Sequence, residues 1–355
     1  MKYFISALAL LISMAGFSQS ATAAKHFKKE FKKEIKEIKE IKEIKKEKKT
    51  ILPVDLVKAD LAVMVLGSGD PVARNSGRAA SSLLIFTDGV PAVLIDSGSG
   101  SFKSLGLSGA KLNEVHHFMY THLHLDHTAD MSAMVKTLFF HNLGAGQLLP
   151  SALNFYGPDS NVPAYDPMAT YVDKHYNSET GVERYLNGFA DAFFGGQSPF
   201  NPVGNNLPSD TTSSDITTVL NEHGGLTIKS IPVFHGGTPS IALRIEYKGK
   251  SIVWTGDTNS STDNIVKLSY DTDVLIYDTA IMEAPVPEFL LMFHTTPSRL
   301  GEVAAITQPG KLVLAHLSGE TETKANLLTI KKTVKAAGYY GKVVPAKDLM
   351  VINVW

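Results

Sequence analysis

Four side chains able to hold a divalent metal fall within six residues of this 355-residue chain, in Thr121-His122-Leu123-His124-Leu125-Asp126-His127. Imidazoles mixed with a carboxylate suit borderline-soft divalent ions, zinc foremost. The apolar run 115–120, interrupted by His116 and His117, reads as a strand that ends in this loop. On an extended backbone alternate side chains share a face, so His122 and His124 point to the same side. The closer Asp126-His127 pair then turns the chain into the helix suggested by residues 131–140. One short turn thus delivers three imidazoles and a carboxylate to a small volume, and we read it as a metal-binding loop.

Such a loop alone leaves a metal incompletely held, and three later strand ends offer the missing ligand types. His235 follows Ile231-Pro232-Val233-Phe234 and precedes Gly236-Gly237. Asp257 follows Ile252-Val253-Trp254-Thr255-Gly256, and His316 follows Leu312-Val313-Leu314-Ala315. Each alone is an ordinary turn residue; three of them after the same loop form a set. Cysteine is absent, so any metal must be held by His, Asp and Glu, and neither a thiolate nor a disulfide framework is possible. A G-x-S-x-G nucleophile elbow is missing as well. Gly67-Ser68-Gly69 follows a strand, but Pro71 and the lack of a third glycine argue against a dinucleotide loop.

The elements that must position these residues are short. Strands are expected at 61–66, 82–86, 92–95 and 115–120, then at 226–233, 241–247, 251–254, 274–276, 312–314 and 350–354, with Lys248-Gly249 as a hairpin turn. Helices are expected at 297–307, with Thr296 as N-cap and Pro297 at the first position, and at 323–337. Between the groups lies a long irregular segment, about 141–222, read as an insertion. Two groups of strands, each followed by helices, predict an α/β fold of two packed sheets with helices outside.

The N-terminus has a different character. Residues 1–24 read as a secretory signal: Lys2, an apolar core over 4–17, then Ala21-Thr22-Ala23-Ala24 at a cleavage site. This predicts a periplasmic or secreted protein beginning near Ala24 or Lys25. Residues 25–50 form a Lys/Glu-rich amphipathic spacer in which Phe27, Phe31, Ile35, Ile38 and Ile41 share a helical stripe about 120° wide. It is either a solvated tether or a basic helix lying on an anionic membrane surface or pairing with itself. The whole chain is −1, while residues 25–49 hold twelve Lys and six Glu and Lys2 adds another cation, which leaves residues 50–355 at −8. An acidic body is a poor partner for nucleic acid, whose binding depends on neutralised phosphates. Residues 51–355 are expected to be one large α/β domain carrying the insertion.

This pattern resembles the metallo-β-lactamase superfamily, an αββα sandwich of two mixed sheets with a metal site at the sheet edges. The resemblance implies that His122, His124 and His235 hold one metal, that Asp126, His127 and His316 hold a second, and that Asp257 bridges them. It narrows toward the ribonuclease Z and arylsulfatase-like branch. Leu66-Gly67-Ser68-Gly69-Asp70-Pro71 with Arg74, Arg78 and Ser81-Ser82 is similar to that branch's opening strand and loop. Phe155-Tyr156-Gly157-Pro158, His294-Thr295-Thr296-Pro297 and Ala315-His316-Leu317-Ser318 are similar to later motifs. In ribonuclease Z relatives an acid and a His form a proton-donating pair. Asp278 and His294 occupy the matching places, though the acid there is usually Glu, and the two could instead pin a helix start. Asp96, in Ile95-Asp96-Ser97-Gly98, would orient a ligand histidine.

Together these imply a hydrolase with two divalent ions, zinc foremost, that cleaves a small organic ester of aryl sulfate or phosphodiester type by attack of a bound hydroxide. Asp126 and Asp257 supply anionic ligands, and His294, held by Asp278, protonates the leaving oxygen. The alternatives are a ribonuclease Z-like 3′ tRNA-processing endonuclease and a lactonase or lactamase-type hydrolase. Two features oppose tRNA: the export signal, and a segment 138–222 with only Lys174 and Arg184 against nine Asp or Glu. That segment is instead rich in aromatics, among them Phe155, Tyr156, Tyr165, Tyr171, Tyr176, Tyr185, Phe193 and Phe194, which either roof an apolar pocket or pack the insert.

Overall fold

Alternation within a single strand sets the layering. All seven residues of β1 (Leu61–Gly67) are buried. Leu61, Val63 and Val65 join an apolar layer between two sheets, whereas Ala62, Met64 and Leu66 pack beneath helices. A strand covered on both faces needs apolar residues at every position, and this one has them. The computed structural model describes residues 51–222 and 225–355, together with Lys33. The signal segment, the rest of the spacer and His223 lie outside the described residues.

One sheet runs in the order β14 (Val351–Val354), β1, β2 (Ser82–Thr87), β3 (Val90–Ile95), β4 (His117–Met119), β5 (Leu153–Pro158) and β6 (Pro202–Leu207). Its first half pairs antiparallel and its second half, from β3 to β6, parallel. The other runs β13 (Lys342–Pro345), β12 (Lys311–Ala315), β11 (Val274–Asp278), β10 (Lys250–Trp254), β9 (Ile241–Tyr247), β8 (Thr227–Pro232) and β7 (Thr217–Asn221). Here β10 to β13 are parallel and β7 to β10 antiparallel. Lys248 and Gly249 both take positive φ, 49° and 74°, and so make the twisted two-residue turn that joins β9 to β10.

Helices cover both outer faces. On the first sheet lie α1 (Ser101–Ser108), the single turn α2 (Leu125–Thr128), α3 (Met131–Ala145), α4 (Met168–Tyr176) and α5 (Tyr185–Phe194). Leu105, Met134, Leu138, Val172 and Leu186 from these helices enter that sheet's outer core. The second sheet is followed by α6 (Asn264–Ser269), α7 (Glu288–Phe293), α8 (Pro297–Thr307) and α9 (Lys324–Ala336). Leu268, Leu300, Val303, Ile330 and Val334 fill its outer core. The expected N-cap is present: the Thr296 side chain accepts from Arg299 N.

The segment 141–222 is not irregular. Besides the end of α3 it carries β5, α4, α5, β6 and β7, and two of these strands extend the first sheet while the third edges the second. Edge strands need only one apolar face, and β6, with Gly204, Asn205 and Asn206, shows little alternation to read. The aromatics divide accordingly: Phe155, Tyr176 and Phe194 are buried in the outer core, where Phe155 and Tyr176 pack 5.6 Å apart.

The inter-sheet layer should dominate stability. Leu243, fully buried there, should cost ~2–5 kcal/mol on replacement by Ala, through lost burial and the cavity left behind. Leu328→Ala, at a position 54% exposed, should stay within about 0.5 kcal/mol. Urea unfolding of the two variants measures both values.

Candidate metal centre

Parallel strands end at the same edge of a sheet, and that edge gathers the chemistry. His122 and His124 follow β4, and Asp126 and His127 lie in α2. His235 follows β8, Asp257 follows β10, Asp278 ends β11 and His316 follows β12. Glycines make room where chains must meet. At Gly98 an added Cβ would stand 2.0 Å from the Asp126 carbonyl oxygen, and at Gly236, with φ +58°, it would strike the Phe293 ring at 2.3 Å.

The structure brings all seven expected ligands together. His122, His124 and His235 form one group whose ligand atoms lie within 4.8 Å of one another. His122 Nε2 is 3.0 Å and His235 Nε2 3.4 Å from His124 Nδ1. Burial holds His122 well below the usual imidazole range, lowers His124, and pushes His235 down to about 4. All three rings are therefore neutral near pH 7, each with a lone pair to give. His235 Nδ1 donates to the Phe293 carbonyl at 2.7 Å, which leaves Nε2 as the free nitrogen facing the group.

Asp126, His127, Asp257 and His316 form a second group, all four buried. His316 Nε2 is 3.1 Å from Asp126 Oδ2 and 3.2 Å from Asp257 Oδ2. Burial opposes charge on both carboxyls, yet His127 and His316 hold Asp126 low and Asp257 well below the carboxylate range. The imidazoles answer in kind. Against the cost of burial, Asp257, Asp96 and Asp126 push His127 up to about 10, and His316 rises well above its usual value beside Asp257. Asp257 also sits 3.8 Å from His235, so it faces both groups.

Asp96 orients His127 as expected. Its Oδ2 accepts from His127 Nδ1 at 3.0 Å. That leaves His127 Nε2 and Asp257 Oδ1, 3.4 Å apart and buried, as two atoms without hydrogen-bond partners. Three convergent neutral imidazoles, and beside them two ionised carboxylates whose charge holds protons tightly on His127 and His316, are a donor set that fits divalent metal. Metal binding replaces those protons.

The third arrangement is the pair Asp278 and His294. His294 Nδ1 donates to Asp278 Oδ2 at 2.8 Å, and Asp278, fully buried, also accepts from the amides of Thr258 and Ala280. Although burial resists it, Asp278 raises the His294 pKa. One ring nitrogen of His294 comes within 4.8 Å of ligand atoms of His235 and Asp257, and its ring stacks on His316 at 5.4 Å. The pair thus stands beside the metal ligands, and at the start of α8 Ser298 donates to Glu283 instead.

Other residues at the site carry no local mark in the sequence. Tyr165 and Thr238 both reach His124 Nε2 at 3.2 Å. Their sequence separations from His124, 41 and 114 residues, leave no local signal to find them. A cleft of about 340 Å³ opens beside His235, lined by Asp159, Asn161, Ser209, Asp210 and Thr238 among others. His117, His141 and His175 are structural: they bond Glu222, the Leu112 amide and the Tyr171 carbonyl respectively.

Comparison with known proteins gives concordant results. A family model described as the beta-lactamase superfamily domain matches residues 176–317, and one described as anti-Pycsar protein Apyc1 matches residues 61–151. The chain is 26% identical over 268 residues to ribonuclease Z of Mycobacterium bovis, covering 72% of this chain and 85% of that one. The metallo-beta-lactamase fold protein YhfI of Bacillus subtilis shares the fold with a TM-score of 0.59 at 21% identity, covering 83% of this chain and 99% of its own. The short form of human tRNase Z does so at 0.57 and 20% identity, with the same coverage of 83% and 99%.

Two outcomes are expected. Elemental analysis should approach two ions per chain, and Asp257→Ala should lower the content of both groups; a folded, active protein free of metal would overturn the assignment. The pH response separates proton from metal. Folding raises His127 from 6.5 to about 10, so its proton stabilises the metal-free fold fully below the lower value and ceases to do so as pH climbs through the higher one. Urea titrations of metal-free protein from pH 7 to 10 should therefore show falling stability, which zinc-loaded protein should not share.

Proposed function

Because this chain is a metal-dependent hydrolase of the metallo-β-lactamase superfamily, we propose that it hydrolyses small phosphodiesters, with His294 as the general acid. The observation that carries this is the place of His294, bonded to a buried carboxylate and beside both ligand groups. His122, His124 and His235 would hold one ion, Asp126, His127 and His316 the other, with Asp257 between them. Bound divalent ions supply Lewis acidity, polarising phosphoryl oxygens and lowering the pKa of water. The protein's own residues then manage protons. Asp278 keeps the Nδ1 proton of His294 engaged and favours the charged ring. The opposite ring nitrogen is left to deliver its proton to the leaving oxygen, which an alkoxide needs.

Charge and space support a small substrate. Among the described residues no Lys or Arg lines the cleft beside His235, whereas Asp159 and Asp210 do. Lys174, one of two cations in the insert, is paired with Asp166 at 2.7 Å. A polyanion gains little from such walls. Residues 1–24 and the acidic body fit an exported enzyme acting on a free metabolite-sized ester, aryl sulfates included. A second reading, 3′ processing of tRNA, is favoured by the similarity to ribonuclease Z. A panel of bis-p-nitrophenyl phosphate, alkyl phosphodiesters, aryl sulfate, a lactone and precursor tRNA decides between them. Turnover of tRNA alone would establish the second reading.

The proton donor has its own signature. His294→Ala should lower turnover of an alkyl phosphodiester by ~10²–10⁴-fold with metal content intact. The loss should shrink with nitrophenolate, which departs without a proton. Asp278→Asn should show the same dependence more weakly. Equal losses across leaving groups would assign His294 another role.

A further inference from the structure

His124 turns Nδ1 toward His122 and His235, so Nδ1 is its ligand nitrogen and Nε2 carries the proton. A ligating imidazole keeps its orientation by donating that second N–H to an acceptor. His235 uses the Phe293 carbonyl and His127 uses Asp96. His124 has neither a carbonyl nor a carboxylate in that place. It meets two hydroxyls, Tyr165 and Thr238, each 3.2 Å from Nε2, and Thr238 in turn donates to the Tyr165 oxygen at 3.0 Å. The three atoms make a closed triangle in which either oxygen can receive the ring proton. The two hydroxyls come from different sheets' loops. Tyr165 lies between β5 and α4, and Thr238 between β8 and β9.

We propose that Tyr165 and Thr238 are a redundant pair of positioning residues that aim His124 at the first metal through its Nε2 proton. Redundancy is the consequence of the triangle: removing one hydroxyl leaves the other within reach, and removing both leaves the N–H without a protein partner. The pair also ties the wall of the cleft to the metal group. Asp159, Asn161 and Val162, which line that cleft, belong to the same loop as Tyr165, and Thr238 lines it directly. The inference rests on the first group holding a metal, and is independent of which ester is cleaved.

Zinc affinity measured by competition with a chelator, and the visible spectrum of the cobalt-substituted protein, test it without any substrate. Tyr165→Phe and Thr238→Val alone should each change both readouts little. The double variant should lose roughly 10–100-fold in zinc affinity, the usual effect of removing a partner that orients a ligand histidine. Its cobalt spectrum should shift as well. Tyr165→Phe with Thr238→Ser, which keeps one hydroxyl, should restore both. A double variant with parent-like affinity and spectrum overturns the proposal. So do single losses that multiply to the double's, the mark of two independent packing defects. Parent protein that binds no zinc overturns both this proposal and the metal assignment, which distinguishes that failure from the other two.

Discussion

The site is built around one buried carboxylate that touches neither proposed metal group's open side. Asp96, 1% exposed, follows β3 and accepts from the Thr121 amide, the Thr121 hydroxyl, His127 Nδ1 and Trp254 Nε1, all at 2.9–3.0 Å. Three donors belong to the metal loop and the fourth to β10 in the opposite sheet. A buried charge without such partners would cost several kcal/mol, so the carboxylate forces these groups to stay near it. It closes the edge of the sandwich, starts the metal loop at Thr121 and sets the tautomer of His127. The backbone bends to present it. Asp96 takes φ +53°, uncommon outside glycine, and its amide donates to the Met119 carbonyl at 2.7 Å. Trp254, among the largest fully buried side chains, supplies apolar volume between the sheets and one indole N–H to the same carboxylate.

From that anchor the two ligand groups diverge by charge. Burial, helped by the repulsion of neighbouring imidazoles, keeps the rings of His122, His124 and His235 neutral against the weaker pull of Asp257. A few ångströms away, Asp126 and Asp257 meet His127 and His316, and mutual attraction overcomes the same burial. One half therefore offers three lone pairs without net charge, and the other offers two negative charges. Asp257 touches both halves, and so spreads its charge where cations on either side would share it. Asp278 repeats the logic one residue further out, with Oδ1 3.5 Å from His316 and Oδ2 bonded to His294. His294, the proposed proton donor, is thus bonded to a carboxylate that is also in electrostatic contact with His316, and a change at one is felt at the other.

Much of this was legible in the sequence, for particular physical reasons. The dense His and Asp loop and the polar residues after apolar runs mark the ends of strands that must be apolar because both faces are covered. Lys248-Gly249 and Thr296-Pro297 carry turn and cap chemistry that does not depend on distant contacts. What escaped was either weakly patterned or purely tertiary. β6 and β13 are edge strands with Pro202 and Pro345 at their ends; β6 has little alternation or β-propensity, and β13, despite Val343 and Val344, is only four residues long. α4 and α5 bury only three residues each, too few to write a long stripe. Tyr165 was visible as one aromatic among many. Nothing local separates it from Tyr176, which is fully buried in the outer core, whereas the loop after β5 brings the Tyr165 hydroxyl to His124.

The helix that leads into His294 is the least buried element near the site. α7 has no buried residue, and Phe289 and Met292 are 60% and 49% exposed. Yet its last residues hold three parts of the centre: the Met292 carbonyl accepts from the Gly236 amide, the Phe293 carbonyl fixes His235, and His294 follows directly. A segment with so little apolar burial derives its order from these few polar contacts rather than from packing. Gly236 matters for the same reason, since any side chain there would push the Phe293 ring and with it the carbonyl that sets His235. A metal that holds His235 in place therefore also holds Phe293, and Phe293 places His294. His235 and His294 are thus tied to one short stretch of backbone, with Asp278 as the second hold on His294.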